Sequence, residues 1–293
     1  MMMMITAGGT GGHIMPALSV GNELRDKFNW DICWLGGDGM EVALSSKANI
    51  PFYGINIRAL RGKGLIRKLL YPFILIRAFI QSLVILRRIK PNFVFTTGGY
   101  IGVPAALAAY ILGKPIFLQE QNTAFGWASG LISLLATRIY MGLGSKDSAS
   151  KDSASKVLVC GNPSPIERAL SYMNPTAKSP EEYQQHIRER YKNREGPIRI
   201  FVIGGSQGAA IFNRVVPEAL AGLEDSFSVW HQAGAGKETE TTLLYTKHNI
   251  QGAKVEEFID SVVEPYEWAD LVIARAGAMT VTELSLVGVA AIL

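Results

Sequence analysis

The chain has 293 residues, 48% of them hydrophobic, which is enough for two domains that each build a core. Charged residues make up 18% and the net charge is +4. A charged share below the usual ~25% indicates a surface that is not wholly exposed to water. The two cysteines, Cys33 and Cys160, lie in apolar runs, and no Cys/His cluster has metal-ligand spacing. We therefore expect buried reduced thiols and no metal site, and the lack of a signal peptide favours a cytosolic chain.

The basic residues are unevenly distributed along the chain. Between Glu41 and Glu120 there is no acidic residue, yet this stretch holds eleven of the 29 basic ones. They are Lys47, Arg58, Arg61, Lys63, Arg67, Lys68, Arg77, Arg87, Arg88, Lys90 and Lys114. This distribution predicts an anionic partner for the first half of the chain.

Short β-rich runs alternate with helical stretches from the first residues to the last. Strands are predicted at residues 2–6, 31–35, 52–55, 93–96, 116–118, 157–160, 198–203, 227–231, 254–256, 271–273 and 290–293. Predicted helices include residues 16–27, 65–89, 104–112 and 209–221. Such alternation favours parallel sheets with helices on both faces.

A break separates two series of strands. Residues 171–197 contain Asn-Pro and Ser-Pro steps and a charged helical stretch at 181–195, which we interpret as a linker with a solvated helix. The predicted domains are therefore residues 1–163 and 164–293, both doubly wound, with a cleft between them. Residues 146–155 repeat Lys-Asp-Ser-Ala-Ser twice and predict a flexible loop. Because Leu293 lies in an apolar run, we expect a C-terminal truncation that leaves the second domain incomplete.

Three glycine-rich turns follow predicted strands. They lie at residues 8–13 (Gly-Gly-Thr-Gly-Gly-His), 98–102 (Gly-Gly-Tyr-Ile-Gly) and 204–208 (Gly-Gly-Ser-Gln-Gly). Parallel sheets bind ligands at such turns, where glycine allows close approach and the following helix presents N–H groups and a positive dipole end. Three turns of this kind predict a phosphorylated ligand, although glycine also serves tight turns alone.

The familiar phosphate motifs do not fit these turns. None matches G-x-G-x-x-G with an acidic residue about 20 positions on, nor the Walker loop. The chain also lacks the Asp-x-Asp pair with which many sugar-nucleotide enzymes hold a divalent ion. These absences favour stabilisation of a leaving diphosphate by helix dipoles and backbone N–H groups, without a metal or another cofactor.

The stretch at residues 65–89 predicts a long helix at a membrane surface. Pro72 and Arg77 interrupt its apolar run, so its longest uncharged stretch is too short to span a bilayer. Basic residues flank it on both sides, which suits a helix lying in an anionic membrane surface. The alternative is a core helix with a solvated basic edge.

In combination, the motifs resemble those of the MurG family of peptidoglycan N-acetylglucosamine transferases. The resemblance covers nearly the whole chain. It rests on the three glycine turns, on Glu120-Gln121-Asn122 and Gly161-Asn162-Pro163, and on the run from Arg275 to Glu283. It implies two Rossmann-like domains in the GT-B arrangement. The implied activity is inverting transfer of N-acetylglucosamine from UDP-GlcNAc to lipid I, giving lipid II, with no nucleic-acid partner. The implied location is the cytoplasmic face of the bacterial inner membrane.

The resemblance also implies a set of binding residues. The acceptor diphosphate would lie on Gly98, Gly99 and Tyr100 of the first domain. The donor would contact Thr10, Gly11, Gly12, Asn122, Ser206, Ile259, Ala278, Met279, Thr280, Val281, Thr282 and Glu283. Within this set, Ser206 would bind the diphosphate, Ile259 would meet the uracil through its backbone, and Glu283 would accept hydrogen bonds from the ribose hydroxyls.

His13 is the candidate catalytic base. An inverting displacement needs a group that takes the proton of the attacking hydroxyl, and imidazole suits this near neutral pH. Alternatively, His13 caps its helix or binds phosphate. Glu120 is a second candidate, which could instead orient Asn122.

The chain departs from the family pattern at a few places. Gln119 stands where the family has a histidine, and Pro165 stands where it has an arginine, with Arg168 nearby. The family's paired glutamines would lie beyond Leu293, so we expect weakened donor binding and stability. Two other functions stay open at this point: another UDP-sugar enzyme of the same fold, such as an epimerase or glycolipid synthase, or an inactive membrane-binding remnant.

Overall fold

The computed structural model describes residues 1–57, 65–144, 155–166, 189, 191–192, 194–205, 210–223, 227–259 and 261–293, without the side chains of 65–70. The chain divides into two compact units, Met1–Ser164 (unit 1) and Pro165–Leu293 (unit 2), one residue from the predicted boundary. Most of the predicted loop repeat and of the predicted linker at 171–197 lies outside the described residues, as does Arg168.

Unit 1 contains a seven-stranded parallel sheet in the order β3-β2-β1-β4-β5-β6-β7. The strands are β1 (Met2–Thr6), β2 (Asp31–Gly36), β3 (Phe52–Gly54), β4 (Phe93–Thr96), β5 (Ile116–Glu120), β6 (Arg138–Met141) and β7 (Val157–Val159). Its helices are α1 (Gly11–Phe28), α2 (Met40–Lys47), α3 (Leu65–Ile89), α4 (Gly99–Ile111) and α5 (Trp127–Leu135). The predicted doubly wound architecture is confirmed.

Alternate residues of the strands form two cores, one on each face of this sheet. Met3 and Ile5 pack with α1 and α2, whereas Met4 and its neighbours pack with α3, α4 and α5. Successive side chains of a strand point to opposite faces, so a strand buried on both faces is apolar throughout. The apolar runs by which the strands were predicted therefore follow directly from the two-sided cover.

Unit 2 repeats this plan with a five-stranded parallel sheet in the order β10-β9-β8-β11-β12. The strands are β8 (Ile198–Ile203), β9 (Phe227–Gln232), β10 (Lys254–Glu256), β11 (Leu271–Ala274) and β12 (Ala290–Ile292). The described helices are α6 (Ala210–Ala221), α7 (Glu238–Lys247), α8 (Val263–Trp268) and α9 (Ala278–Val287). One core lies under α6 and α7, and the other lies under α8 and α9.

The helices after the first two glycine turns begin earlier than predicted. The predicted starts were Pro16 and Pro104, because proline favours the first turn of a helix. The structure instead begins α1 at Gly11 and α4 at Gly99, which places each proline five residues into its helix. Both glycine turns are therefore partly helical, and their glycines supply the first helical N–H groups.

Two other predictions were wrong. Strand β6 was not predicted, because its four residues begin with Arg138 and form only a short apolar run. Cys160 is exposed, since it follows the last residue of the edge strand β7. Cys33 is buried as expected, and burial, with a smaller contribution from Asp31, raises the pKa of its thiol to about 12.

The predicted long helix α3 is present and continues through Pro72. Among the described residues, no helix combines the length and the apolar character that crossing a membrane requires.

Candidate active site

In each unit several of the predicted site residues lie where the strand order reverses, whereas Glu120 and Asn122 lie at the end of β5 and Ile259 follows β10. In unit 1 the reversal point lies between β1 and β4, and in unit 2 it lies between β8 and β11. Helices leave the two neighbouring strands towards opposite faces there, so a crevice opens at the carboxyl ends of the strands. The turns at residues 8–13 and 98–102 meet at the first point. Residues 204–205 and 275–277 follow the two strands at the second.

His13 links the two turns of unit 1. Its Nδ1 lies 2.7 Å from the carbonyl oxygen of Thr97, and the Thr97 hydroxyl donates to the carbonyl of His13 at 2.8 Å. Because a carbonyl only accepts, Nδ1 must carry the proton in this contact. In the neutral imidazole Nε2 is then the basic nitrogen. The ring lies next to the turn after β4, with Cδ2 3.6 Å from the position of a Cβ built on Gly99.

Three helices that begin at the reversal points start without an acidic residue. In α1, α4 and α9 the first turn is free of Asp and Glu, and the N-cap residue makes no side-chain cap. By contrast, α2 and α7 carry glutamates in their first turns. Uncapped N–H groups and the positive dipole end make the first three helix starts suitable for anions. Thr10, Gly11, Gly12, Gly98, Gly99, Tyr100, Ala278, Met279 and Thr280 all lie at these starts.

Glu120 and Asn122 form a local unit after β5. One carboxylate oxygen of Glu120, Oε1, accepts from the Asn122 backbone N–H at 3.0 Å and from its side-chain amide at 2.8 Å. The carboxylate is buried, whereas Asn122 is exposed. These contacts favour the orienting role of Glu120 over the role of base.

A buried amide network joins three of the sequence motifs, and the sequence did not reveal it. Gln119 donates through Nε2 to the Asn162 side-chain oxygen at 2.8 Å, and Asn162 donates to the Gln121 carbonyl at 3.1 Å. Gln121 donates to the carbonyl of Thr97 at 3.2 Å. The Thr97 carbonyl that orients His13 is thus held from a second side. Gln119, the departure from the family pattern, takes part as both donor and acceptor.

Glu283 lies one turn into α9 and is paired with α8. The Tyr266 hydroxyl donates to its Oε2 at 3.1 Å. Burial raises the pKa of Glu283 to about 7, although the hydrogen bond from Tyr266 acts in the opposite direction. On the same helix, the Thr282 hydroxyl donates to the Ala278 carbonyl at 2.9 Å, and Val281 is half-buried.

Gln232, at the end of β9, connects two of the predicted donor-binding segments. Its Nε2 donates to the Gly205 carbonyl at 3.2 Å, and its Oε1 accepts from the backbone N–H of Ile259 at 3.1 Å. A uracil that used this N–H would have to displace Gln232. Ser206 lies outside the described residues. The only sequence signal that could have singled out Gln232 is its position directly after the predicted strand at 227–231.

Two further observations concern metal ligands and a second pocket. Among the described residues, no group of three or more His, Cys, Asp and Glu side chains is placed to hold a metal ion. A pocket of about 620 Å³ opens at the opposite edge of the first sheet, between Arg25, Asp31, Pro51 and Arg88. It lies at the amino ends of the strands and is therefore separate from the candidate site.

The chain matches known proteins over nearly its whole length. The N-terminal domain of glycosyltransferase family 28 matches residues 3–141, and the C-terminal domain of that family matches residues 199–293. A crystal structure of Acinetobacter baumannii MurG has a TM-score of 0.72 at 33% identity and covers 99% of this chain and 77% of its own. A UDP-GlcNAc 2-epimerase from Neisseria meningitidis has a TM-score of 0.63 at 14% identity, which shows a shared fold alone. The parallel α/β units and these neighbours confirm the predicted GT-B-like fold class.

Two curated relatives carry the same name, UDP-N-acetylglucosamine–N-acetylmuramyl-(pentapeptide) pyrophosphoryl-undecaprenol N-acetylglucosamine transferase. The relative from Pasteurella multocida is 39% identical over 99% of this chain and 76% of its own length. The relative from Haemophilus influenzae is 40% identical over 99% of this chain and 77% of its own. The chain is thus a family 28 glycosyltransferase, and within that family it belongs to the MurG family of hexosyltransferases.

Proposed function

We propose that this chain transfers N-acetylglucosamine from UDP-GlcNAc to lipid I, the undecaprenyl-diphosphate-linked N-acetylmuramoyl pentapeptide, and so forms lipid II for peptidoglycan. The names of relatives that are 39–40% identical over almost the whole chain support this activity. The observation that carries the mechanism is the contact between His13 Nδ1 and the Thr97 carbonyl at the reversal point of unit 1.

In the proposed mechanism His13 is the base. Its Nδ1–H is held by the Thr97 carbonyl at 2.7 Å, so Nε2 is available to take the proton of the acceptor hydroxyl. The hydroxyl oxygen forms a bond to the anomeric carbon as the bond from that carbon to the UDP oxygen breaks. UDP leaves with the electron pair, and the configuration at the carbon inverts. Glu120 orients Asn122 towards the sugar through its two hydrogen bonds.

Unit 2 is the proposed donor-binding unit. The uncapped start of α9, at Ala278, Met279 and Thr280, suits the donor diphosphate, together with Ser206. Ionised Glu283 accepts from the ribose hydroxyls, and Ile259 contacts the uracil through its backbone. Unit 1 is the proposed acceptor-binding unit, where Gly98, Gly99 and Tyr100 hold the acceptor diphosphate. Thr10, Gly11 and Gly12 lie beside the donor.

We also propose that unit 1 binds a membrane through an exposed surface of α3. On α3, Phe73 is 69% exposed and Ile76, Ile80 and Val84 are more than half exposed. These four side chains recur at helical spacing and form one apolar stripe, with the exposed Arg77 and Arg87 beside it. This surface favours peripheral binding to the cytoplasmic face of an anionic inner membrane. There the product would serve cell-wall synthesis, and through it cell shape and division.

The central experiment is transfer of labelled N-acetylglucosamine from UDP-GlcNAc onto a lipid I analogue. His13→Ala is expected to lower kcat by about 10²–10⁴-fold, the contribution of a general base. His248→Ala, at the end of α7, is the matched control and should keep the wild-type rate. Full turnover in His13→Ala would remove His13 as the base. Turnover of UDP-GlcNAc without the lipid would favour an epimerase, and no binding of UDP-GlcNAc in calorimetry would favour an inactive remnant.

A further inference from the structure

Glu41 is a buried carboxylate directly beneath the first glycine turn. It is the second residue of α2 and is only 1% exposed. Its Oε1 accepts from the backbone N–H of Gly37 at 3.0 Å, and its Oε2 accepts from the backbone N–H of Gly9 at 3.4 Å. The side chain therefore joins the turn after β2 to the turn after β1.

The glycines around Glu41 make room for this side chain. A Cβ built on Gly8 would lie 2.6 Å from Glu41 Oε1, and one on Gly39 would lie 2.6 Å from Oε2. A Cβ on Gly36 would lie 2.9 Å from Glu41 Cγ. Real Cβ atoms do not approach other atoms this closely, because the contact is repulsive. A Cβ on Gly8 would also clash with Ile101 Cδ1, so packing against both Glu41 and Ile101 accounts for the glycine, and its lack of a side chain is no evidence of a ligand there.

The same contacts restrict where an anion can bind on the first loop. The N–H of Gly9 is already donated to a carboxylate, and a negative charge beneath residues 8 and 9 disfavours a phosphate at that point. The helical start of α1 at Gly11 and Gly12 carries no such acceptor, and its first N–H groups are uncapped. The loop is thus divided into a part fixed by Glu41 and a part whose N–H groups have no side-chain cap.

We propose that Glu41 is a positioning residue that holds the turn at residues 8–10 so that α1 presents Gly11, Gly12 and His13 to the substrates. This proposal rests on the proposed glycosyl transfer and on His13 as its base. Glu41 also lies in the first turn of α2, where an acidic side chain stabilises its own helix. A role limited to α2 would leave the loop and the rate per folded molecule unchanged. The contact with Gly9, 32 residues away in sequence, predicts an effect on both.

The first test is amide hydrogen exchange in Glu41→Gln. The amide side chain keeps one accepting oxygen but turns an NH₂ group towards the second backbone N–H. We expect the oxygen to keep the shorter contact with Gly37 at 3.0 Å, so the 3.4 Å contact with Gly9 is lost. We expect exchange at residues 8–10 to be at least about tenfold faster, because that fold-change corresponds to about 1.4 kcal/mol, close to the lower end of what a hydrogen bond to a charged group contributes. The control is Ser45→Ala on the same helix, because the buried Ser45 hydroxyl only donates to the Val42 carbonyl. Unchanged exchange at residues 8–10 in Glu41→Gln would overturn the proposal.

The second test is a double-mutant cycle between Glu41→Gln and His13→Ala, measured as transfer onto the lipid I analogue. Glu41→Gln alone is expected to lower kcat about tenfold, since a small misplacement of catalytic groups costs rates of this order, with both KM values within about threefold of wild type. In the His13→Ala background the further loss should be less than about threefold, because the two residues act through one another. Additive losses, or a wild-type kcat in Glu41→Gln, would contradict the positioning role.

The two tests separate this proposal from the proposed function. If the wild-type chain showed no transfer, the proposed function would fail, while hydrogen exchange would still decide whether Glu41 holds the loop. If Glu41→Gln did not fold, Glu41→Asp replaces it. Aspartate keeps the charge but is shorter by one methylene, so it should lose the 3.4 Å contact with Gly9 before the 3.0 Å contact with Gly37. Faster exchange in residues 8–10 is again the expected result, and wild-type exchange would count against the proposal.

Discussion

Two ionisable side chains of unit 2, the buried His231 and the partly buried Glu283, have opposite consequences for stability. His231 accepts from the Tyr245 hydroxyl at 2.8 Å and donates to the Asn213 side-chain oxygen at 3.1 Å, while Asn213 donates to the Ala233 carbonyl. All these groups are satisfied with a neutral imidazole, and burial lowers the pKa of His231 to about 4. Burial raises the pKa of Glu283 to about 7. In the folded state burial therefore shifts each group towards its neutral form.

We predict that the two groups contribute to the free energy of unfolding with opposite pH dependence. Glu283→Gln should therefore leave only the contribution of His231. The folded pKa of His231 is depressed, so its stability contribution is present above about pH 6.5 and is lost as the pH falls towards 4. The folded pKa of Glu283 is raised, so its contribution is present below its unfolded value near 4.5 and is lost as the pH rises through 7. Between pH 7 and pH 5 each change amounts to about 2 kcal/mol, with opposite sign.

The free energy of unfolding of unit 2, measured by urea denaturation at pH 7 and pH 5, tests this prediction. In wild type the contributions of these two groups should nearly cancel, so together they change the free energy of unfolding little between the two pH values. Glu283→Gln should lose about 2 kcal/mol more than wild type when the pH falls from 7 to 5. Glu264→Gln, an exposed glutamate on α8, is the control and should follow wild type. An identical pH dependence in Glu283→Gln and wild type would contradict the prediction.

Glu283 also predicts a pH dependence of donor binding. Ribose hydroxyls donate to an ionised carboxylate, and protonation removes an acceptor, so affinity for UDP-GlcNAc should fall as the pH drops through about 7. We expect the Kd to be roughly tenfold weaker at pH 6 than at pH 8, following the ionised fraction. Calorimetric titration checks this. Tyr266→Phe removes the hydrogen bond that lowers the pKa of Glu283, so its midpoint should move to higher pH. A pH-independent Kd in wild type would exclude ionised Glu283 as the ribose acceptor.

At the residue scale, the sequence predicted a set of site residues but not the contacts that hold their segments in place. The glycine turns, Glu120-Gln121-Asn122 and the run to Glu283 were predicted because they are local in sequence. Glu41, Gln121 and Gln232 hold these segments through contacts between residues 24 to 32 positions apart. No periodic sequence pattern identifies the hydrogen-bond partner of a buried carboxylate or amide, so such contacts can be found only from the structure.

At the scale of elements, strands were easier to predict than helix starts. Strands buried on both faces are apolar throughout, and most of the predicted strands agree with the structure within two residues. The starts of α1 and α4 were misplaced because proline was taken as the first residue, although here it lies in the second turn. Pro16 and Pro104 have no N–H to donate to the carbonyl four residues earlier, so tertiary packing overrides this local cost.

The exposed stripe of α3 gives the prediction that belongs to this scale. Phe73→Ser should weaken sedimentation with vesicles that contain anionic phospholipid by about tenfold or more, because burying a large apolar side chain contributes about 1.5–3 kcal/mol. Phe73 is exposed, so the free energy of unfolding should change little. Leu243→Ser on α7, an equally exposed apolar residue of unit 2, is the control. Equal loss of vesicle binding in both variants would contradict a specific role for α3, and binding by wild type should weaken with added salt.

At the scale of the whole molecule, the two units share one plan. Each has a parallel sheet whose strand order reverses once, with cores on both faces and with uncapped helix starts at the reversal point. The plan could be predicted from the alternation of strands and glycine turns. The order of strands could not, because sequence position does not determine which strands pair. The reversal points nevertheless explain why motifs that are distant in sequence come together within each unit.

The proposed division of labour between the units predicts different responses to UDP and to UDP-GlcNAc. The nucleotide contacts proposed here, Ile259, Glu283 and the start of α9, all belong to unit 2, whereas Asn122 and the start of α1 belong to unit 1. UDP should therefore slow amide exchange around residues 259 and 278–283 alone. A ligand at 100 times its Kd stabilises the binding unit by about 2.7 kcal/mol, which is enough to measure.

UDP-GlcNAc should add protection at residues 11–13 and 122, because only the sugar is proposed to reach them. Asn122→Ala should remove the second effect and leave the first, since its side chain is exposed and its loss leaves unit 2 unchanged. Protection of unit 1 by UDP alone would show instead that the nucleotide contacts both units, and the assignment of Ile259 and Glu283 as the main nucleotide contacts would then be wrong.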